Sequence, residues 1–196
     1  KQFGAGGTCF SLVNLGAYRA EKLGLKPRYY LGDRPDGPNR HCVLGFPEQG
    51  VFIDPGYLCY RPLPLNLNKH IALVRQHNIL HLSPAGPDRI KIETERKNQR
   101  TWRYTLNCEP VGRDRFETAW LNSFNWYTVM DSVCLTRLRE HDMLCYLNGR
   151  LEAVTRSERR EVSPPPDVEI DRYLARLFRV DPEKAGRGSG QSPHRV

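Results

Sequence analysis

Near the start of the chain, apolar residues recur at helical spacing. Phe10, Val13, Ala17, Ala20 and Leu23 fall on one side of a helix predicted over 9–23. Thr8 is placed to act as N-cap, and Gly24 supplies the stop. The period then changes. Short apolar runs at 27–32 (PRYYLG), 41–46 (HCVLGF) and 51–54 (VFID), each bounded by Pro or Gly, predict strands. Residues 58–88, with Pro62, Pro64 and polar turns, read as irregular. Two hairpins follow. IKIETERK and RTWRYTLNCE flank Asn98-Gln99, while MLCYL and RLEAV flank Asn148-Gly149, a type I′ turn signal. Residues 115–126 read as an aromatic-rich helix or loop. A run of prolines ending at Pro166 breaks the chain before a last helix over 167–178, with Val168, Tyr173, Leu174, Leu177 and Phe178 on one side. From Glu183 the Gly/Ser/Arg-rich composition predicts a disordered tail.

The chain has 196 residues, 39% of them hydrophobic. That is enough to bury roughly two-thirds of the surface an unfolded chain exposes without disulfide staples. No apolar run approaches the length of a membrane span, and no secretory leader is visible. Thirty Lys and Arg against 22 Asp and Glu leave a net charge of +8. This favours an acidic or phosphate-bearing partner without choosing one. Much of the excess, including Arg156, Arg159 and Arg160, reads as a solvated face. The six cysteines, at 9, 42, 59, 108, 134 and 145, form no Cys-x-x-Cys or Cys-x-x-His pair. They read as thiols of a reducing compartment, the cytoplasm, with no metal site. His70, His77 and His81 have no adjacent acidic or Cys ligand and read as surface-loop residues.

One thiol differs from the other five. Cys9 opens a helix, where unpaired amides and the helix dipole favour a thiolate. Gly6 and Gly7 ahead of it let backbone run close to a bound group, so the amides around Gly7 and Thr8 are candidate oxyanion donors. A thiolate needs a proton partner held in place. His41 opens one predicted strand and Asp54 closes another. If they pair antiparallel with Phe46 opposite Val51, Val43 lies opposite Asp54, and His41 becomes its diagonal neighbour on the same face. Cys42 then turns to the other face as a core thiol. The order Cys, His, Asp on helix, strand and strand follows the logic of the serine triad with sulfur as nucleophile.

Gly6-Gly7-Thr8-Cys9, His41-Cys42-Val43-Leu44 and Asp54-Pro55-Gly56-Tyr57 resemble the motifs of the arylamine N-acetyltransferase family: Gly-Gly-x-Cys, His-x-x-Leu and Asp-x-Gly-aromatic. Asn14 and the Arg61–Leu65 stretch also fit. Ala5 stands where the family has Arg, and Pro55 and Tyr57 replace the commoner Val and Phe. The resemblance is strong over 6–65 and looser to about 180.

It implies an α+β, cysteine-protease-like (transglutaminase-like) fold with a nucleophile helix, an antiparallel β-barrel middle and a C-terminal helix. The corresponding parts are 1–25, a remnant of an N-terminal helical domain carrying the nucleophile; 26–162, the barrel; 163–182, the closing helix; and 183–196, the tail. The family has a longer helical segment before its nucleophile, so the front of this chain reads as shortened. By the same resemblance, Cys9 would take an acetyl group from acetyl-coenzyme A and pass it to an arylamine or hydrazine. His41 would move the proton and Asp54 would orient the imidazole. Tyr57 and Phe10 would belong to the acceptor pocket. The implied partners are a small amine and an acyl-coenzyme A, with no nucleic acid, membrane or metal. Two other readings stand beside this one: a transglutaminase-like thiol enzyme acting on amide or peptide bonds, and an inactive module of the same fold that binds an acidic partner.

Overall fold

The helix expected from the apolar spacing is α1 (Cys9–Lys22), in a computed structural model that describes residues 7–125 and 133–180. Its buried stripe is Phe10, Val13, Ala17 and Ala20. The chain leaves it through Gly24, at φ +77°. Thr8 does stand at the N-cap, but its hydroxyl makes no capping bond. It lies instead 3.5 Å from the Ser11 hydroxyl.

The chain divides into two compact units, Gly7–Trp126 and a second within Tyr127–Val196. In the first, eight strands form one antiparallel sheet: β1 (Arg28–Arg34), β2 (Gly37–Phe46), β3 (Val51–Asp54), β4 (Cys59–Pro64), β5 (Ile71–Val74), β6 (Ile79–Pro84), β7 (Arg89–Arg96) and β8 (Gln99–Asn107). Their spatial order is β4-β3-β2-β1-β8-β7-β6-β5. The sheet curls, because strands from its two ends share one core. Leu63 of β4 and Leu80 and Leu82 of β6 are buried in a single cluster with Tyr30, Val43, Phe52 and Tyr104. A bond between the ends accompanies this closure: the Arg75 guanidinium donates to the Tyr57 carbonyl at 2.9 Å.

The other face of the sheet carries α1 and α2 (Arg113–Ser123). There Phe10 and Val13 meet Leu31, Cys42, Leu44 and Phe116. Adjacent residues of β1 and β2 thus enter different cores: Tyr30 and Val43 the inner one, Leu31, Cys42 and Leu44 the one under the helices. Covering on both faces is why these strands read as continuous apolar runs rather than alternating ones.

Residues 58–88 are not irregular as expected; they hold β4, β5 and β6. Pro62 and Pro64 lie in β4, at the edge of the sheet order, where a missing N–H leaves no ladder bond unmade. The first hairpin turns one residue earlier than expected. Arg96 pairs with Gln99, and Lys97 and Asn98 take the two left-handed positions, at φ 50° and 60°.

The second unit contains β9 (Cys134–Leu138), β10 (Met143–Leu147), β11 (Arg150–Val154) and β12 (Arg159–Glu161) in the order β12-β11-β10-β9, together with α3 (Ile170–Phe178). Its β10–β11 turn falls on Asn148-Gly149 as expected, at φ 50° and 80°. The Arg137 guanidinium donates to the Leu177 carbonyl near the end of α3. The chain therefore has the α+β architecture implied by its sequence, with a first helix opened by Cys9, an antiparallel sheet and a late helix. The tail expected to be disordered, 183–196, lies outside the described residues. Among the described residues, no helix is long and apolar enough to cross a membrane.

Phe52, fully buried on β3, contributes to the inner core, whereas Tyr60 on β4 is 58% exposed. Phe52→Ala is expected to lower unfolding free energy by about 3–5 kcal/mol. Tyr60→Ala should change it by no more than about 0.5 kcal/mol. Urea titration of both variants measures the difference.

Candidate active site

Strand register brings the first two groups together. Phe46 pairs with Val51 and Leu44 with Ile53, so His41, Val43, Phe52 and Asp54 face the inner core. His41 Nε2 lies 3.1 Å from each oxygen of the Asp54 carboxylate, and both side chains are buried. Two further donors complete the carboxylate. The Tyr104 hydroxyl of β8 donates to Oδ2 at 2.6 Å, and the Tyr57 backbone N–H donates to Oδ1 at 3.1 Å. The second of these caps the 3-10 turn Pro55–Tyr57, which leads the chain away from Asp54. Aromatic rings surround the imidazole: Tyr57 at 5.0 Å and Tyr104 at 4.2 Å between centroids.

Cys9 reaches this pair from the other side of the turn. A Cβ placed on Gly56 would lie 2.7 Å from Cys9 Cβ, 2.9 Å from His41 Cε1 and 3.4 Å from Asp54 Oδ1. One residue without a side chain therefore sits where all three site groups converge. His41 Nε2 is taken by Asp54, so Nδ1 is the nitrogen available for its hydrogen bond with Cys9.

The electrostatics favour an ion pair. A hydrogen bond from the Cys42 thiol is the largest influence on Cys9. Burial and the Asp54 charge oppose it, the positive charge and hydrogen bond of His41 reinforce it, and the Cys9 pKa ends well below its ordinary value. Burial pulls His41 downward, but the charges of Asp54 and Cys9 and the hydrogen bonds to both carry it up to about 10. Cys42, wholly buried, is driven well up by burial and by Cys9. Its thiol stays protonated beside the Cys9 thiolate.

The first helical N–H to find a partner within α1 is that of Leu12, bonded to the Thr8 carbonyl at 3.0 Å. The amides of Cys9, Phe10 and Ser11 precede it and are free of intrahelical bonds. At Gly7 an added Cβ would lie 2.5 Å from Ser11 Cβ, so a side chain there would collide with the first turn of α1. Phe10 points into the core beneath α1, with its ring 5.6 Å from that of Phe116. Tyr57 is half-buried beside His41.

Three participants lacked a sequence signal of their own. Tyr104 belongs to a strand fifty residues from Asp54 in the chain, and nothing local marks it. Gly56 was visible as part of a turn but not as the contact between Cys9 and His41. Cys42 faces the helix side as expected, yet it is more than a core thiol because Cys9 packs against its cluster and has its pKa lowered by Cys42. The histidines at 77 and 81 are also not surface-loop residues; both are buried. His81 lies in β6, takes Glu95 at 2.9 Å and meets His70 at 3.0 Å. Strand pairing between β6 and β7 places this group, which spacing alone could not show. Among the described residues, no cluster of three or more ligand side chains suits a metal ion.

The fold is that of the arylamine N-acetyltransferases. A crystal structure of a Mycobacterium smegmatis arylamine N-acetyltransferase variant superposes with a TM-score of 0.72 at 15% identity, over 94% of this chain and 75% of that one. The Mycobacterium marinum arylamine N-acetyltransferase in complex with CoA gives 0.72 at 15% identity, with the same coverage of 94% and 75%. The Salmonella typhimurium enzyme gives 0.65 at 18% identity over 96% and 71%. No protein-family model and no curated protein sequence matches the chain.

Gly56→Ala tests the convergence directly. The added methyl must displace Cys9 or His41, so the pH midpoint for iodoacetamide labelling of Cys9 should rise toward the ordinary thiol range. In the unaltered chain, labelling should already be complete in mildly acidic solution. A peptide-resolved mass spectrum at each pH measures both.

Proposed function

We propose that this protein transfers an acetyl group from acetyl-coenzyme A to an arylamine or hydrazine through a thioester on Cys9. The observation that carries the reading is the packing of Cys9, His41 and Asp54 around Gly56, with the thiol lowered and the imidazole raised. The fold shared with arylamine N-acetyltransferases, one of them bound to CoA, supports the substrate class.

The steps follow from the protonation states. In the resting site the proton is on His41 and the negative charge is on Cys9. The thiolate attacks the thioester carbonyl carbon, and the carbonyl electrons move onto oxygen. Amides at the start of α1, around Gly7, Thr8 and Cys9, are placed to stabilise that oxyanion. Collapse breaks the bond to the coenzyme A sulfur, which leaves with the His41 proton as a free thiol. His41, now neutral at Nδ1, takes a proton from the incoming amine as the amine attacks the acyl-Cys9 carbonyl. Cys9 leaves as a thiolate, and the site returns to its first state.

Asp54 holds the imidazole through Nε2 and stabilises its positive charge; it takes no proton. Tyr57, half-buried beside His41, is assigned to the acceptor pocket, whereas Phe10 is fully buried in the core beneath α1. The net charge of +8 suits the coenzyme A phosphates. Six free cysteines fit a reducing compartment, and we assign the protein to the cytoplasm.

Incubation with acetyl-coenzyme A should add about 42 Da, one acetyl group, to Cys9 in an intact-mass measurement, and an arylamine should remove it. His41→Ala and Asp54→Ala should each reduce adduct formation at least about a hundredfold. Near-normal rates in either variant would exclude the triad. Absence of an adduct from any acyl-coenzyme A, together with hydrolysis of a glutaminyl peptide, would instead identify a transglutaminase-like amide enzyme.

A further inference from the structure

Cys42 is a buried nucleophilic group that the triad does not use, and it belongs to the cluster against which Cys9 packs. α1 lies directly on β2: a Cβ at Gly16 would be 3.1 Å from Leu44 Cδ2. Two residues back along the same face of β2 is Cys42, and two turns back along α1 is Cys9. Side-chain alternation therefore sends His41 and Cys42 to opposite faces of one strand, and both reach Cys9 where the helix begins. Cys42 is fully buried among Phe10, Val13 and Leu31, in the same cluster against which Cys9 packs. The titratable groups around Cys9 are His41 and Cys42 from β2, Asp54 from β3 and Tyr57 from the turn that follows it.

We infer that the Cys42 thiol is a dedicated hydrogen-bond donor to the Cys9 sulfur, which stabilises the thiolate both as nucleophile and as leaving group. The inference rests on the acyl-transfer reading for its second half only. His41 supplies charge from one side, while Cys42 supplies a neutral donor from the other. The S–H bond of Cys42 does not break during the cycle. While Cys9 is anionic, the thiol donates to it; once Cys9 carries an acyl group, its sulfur is a poor acceptor and the bond weakens. Attack of an amine on the thioester restores the anion and the hydrogen bond together. The acyl-enzyme is thereby made more reactive toward its acceptor than a thioester of an ordinary cysteine.

The test needs no acyl donor. The rate of Cys9 alkylation by iodoacetamide is measured against pH in the full chain, with circular dichroism and thermal melting reporting the fold of each variant. Loss of a hydrogen bond to a charged group should move the Cys42→Ala midpoint up by about one pH unit. Cys42→Ser keeps a donor of similar size and should stay near the unaltered midpoint. A purely structural role predicts the reverse order, because a hydroxyl suits an apolar core less well than a methyl. An unchanged midpoint in Cys42→Ala, or equal shifts in the Ala and Ser variants, would overturn the inference.

If neither variant folds, infrared difference spectra of the unaltered protein across the Cys9 titration decide the matter. An S–H band should shift and broaden as Cys9 ionises and should show no such change in Cys9→Ala; an unshifted band overturns the inference. Failure of acetyl-coenzyme A to label Cys9, with the Ala and Ser midpoints as expected, would remove the transferase reading alone. Normal acetylation with an unmoved Cys42→Ala midpoint would remove this inference alone.

Discussion

The buried carboxylate of Asp54 is the constraint around which the site is arranged. A carboxylate taken out of water without partners costs several kcal/mol, so its oxygens must be supplied with donors. Here the donors come from three separate elements: His41 on β2, Tyr104 on β8 and the Tyr57 backbone in the turn that Asp54 caps. Satisfying one side chain therefore ties together two strands from different parts of the sheet order and the turn that presses on Cys9. The curl of the sheet, with its inner core shared by both ends, is what allows Tyr104 to reach across. Remove the charge at position 54 and the reason for the imidazole's orientation disappears with it.

The second organising feature is a strand with two working faces. β2 presents His41 inward and Cys42 toward α1, and Cys9 opens the helix that covers the second face. A cysteine at that point has a charged partner on one side and a neutral donor on the other. Its thiolate is thus stabilised without full exposure to water. The imidazolium is retained up to about pH 10 by the same pairing. The low-pKa thiol and high-pKa imidazole are two readings of one interaction rather than independent adjustments.

Parts of this were legible from residue order. Helical spacing gave the buried face of α1, and Phe46 opposite Val51 gave the His41–Asp54 proximity, since a side-chain period of two leaves little freedom once one pair is set. The Asn148-Gly149 turn was equally clear because left-handed backbone selects those residues. The strands between 58 and 84 were obscured by prolines that only an edge position can accommodate. The burial of His81 and its pairing with Glu95 were hidden because the partner comes from a neighbouring strand.

Sequence by itself determined the local elements, the presence of a helix-opening thiol and the face on which His41 and Asp54 meet. These depend on interactions a few residues long or on a single hairpin register. Only the tertiary structure decided that Gly56 would stand between Cys9 and His41, that Tyr104 would complete Asp54, and that Cys9 would pack against the cluster holding Cys42. Those contacts join residues from about fifteen to fifty positions apart, and the free energy that selects them comes from burying two cores at once, which no local pattern encodes.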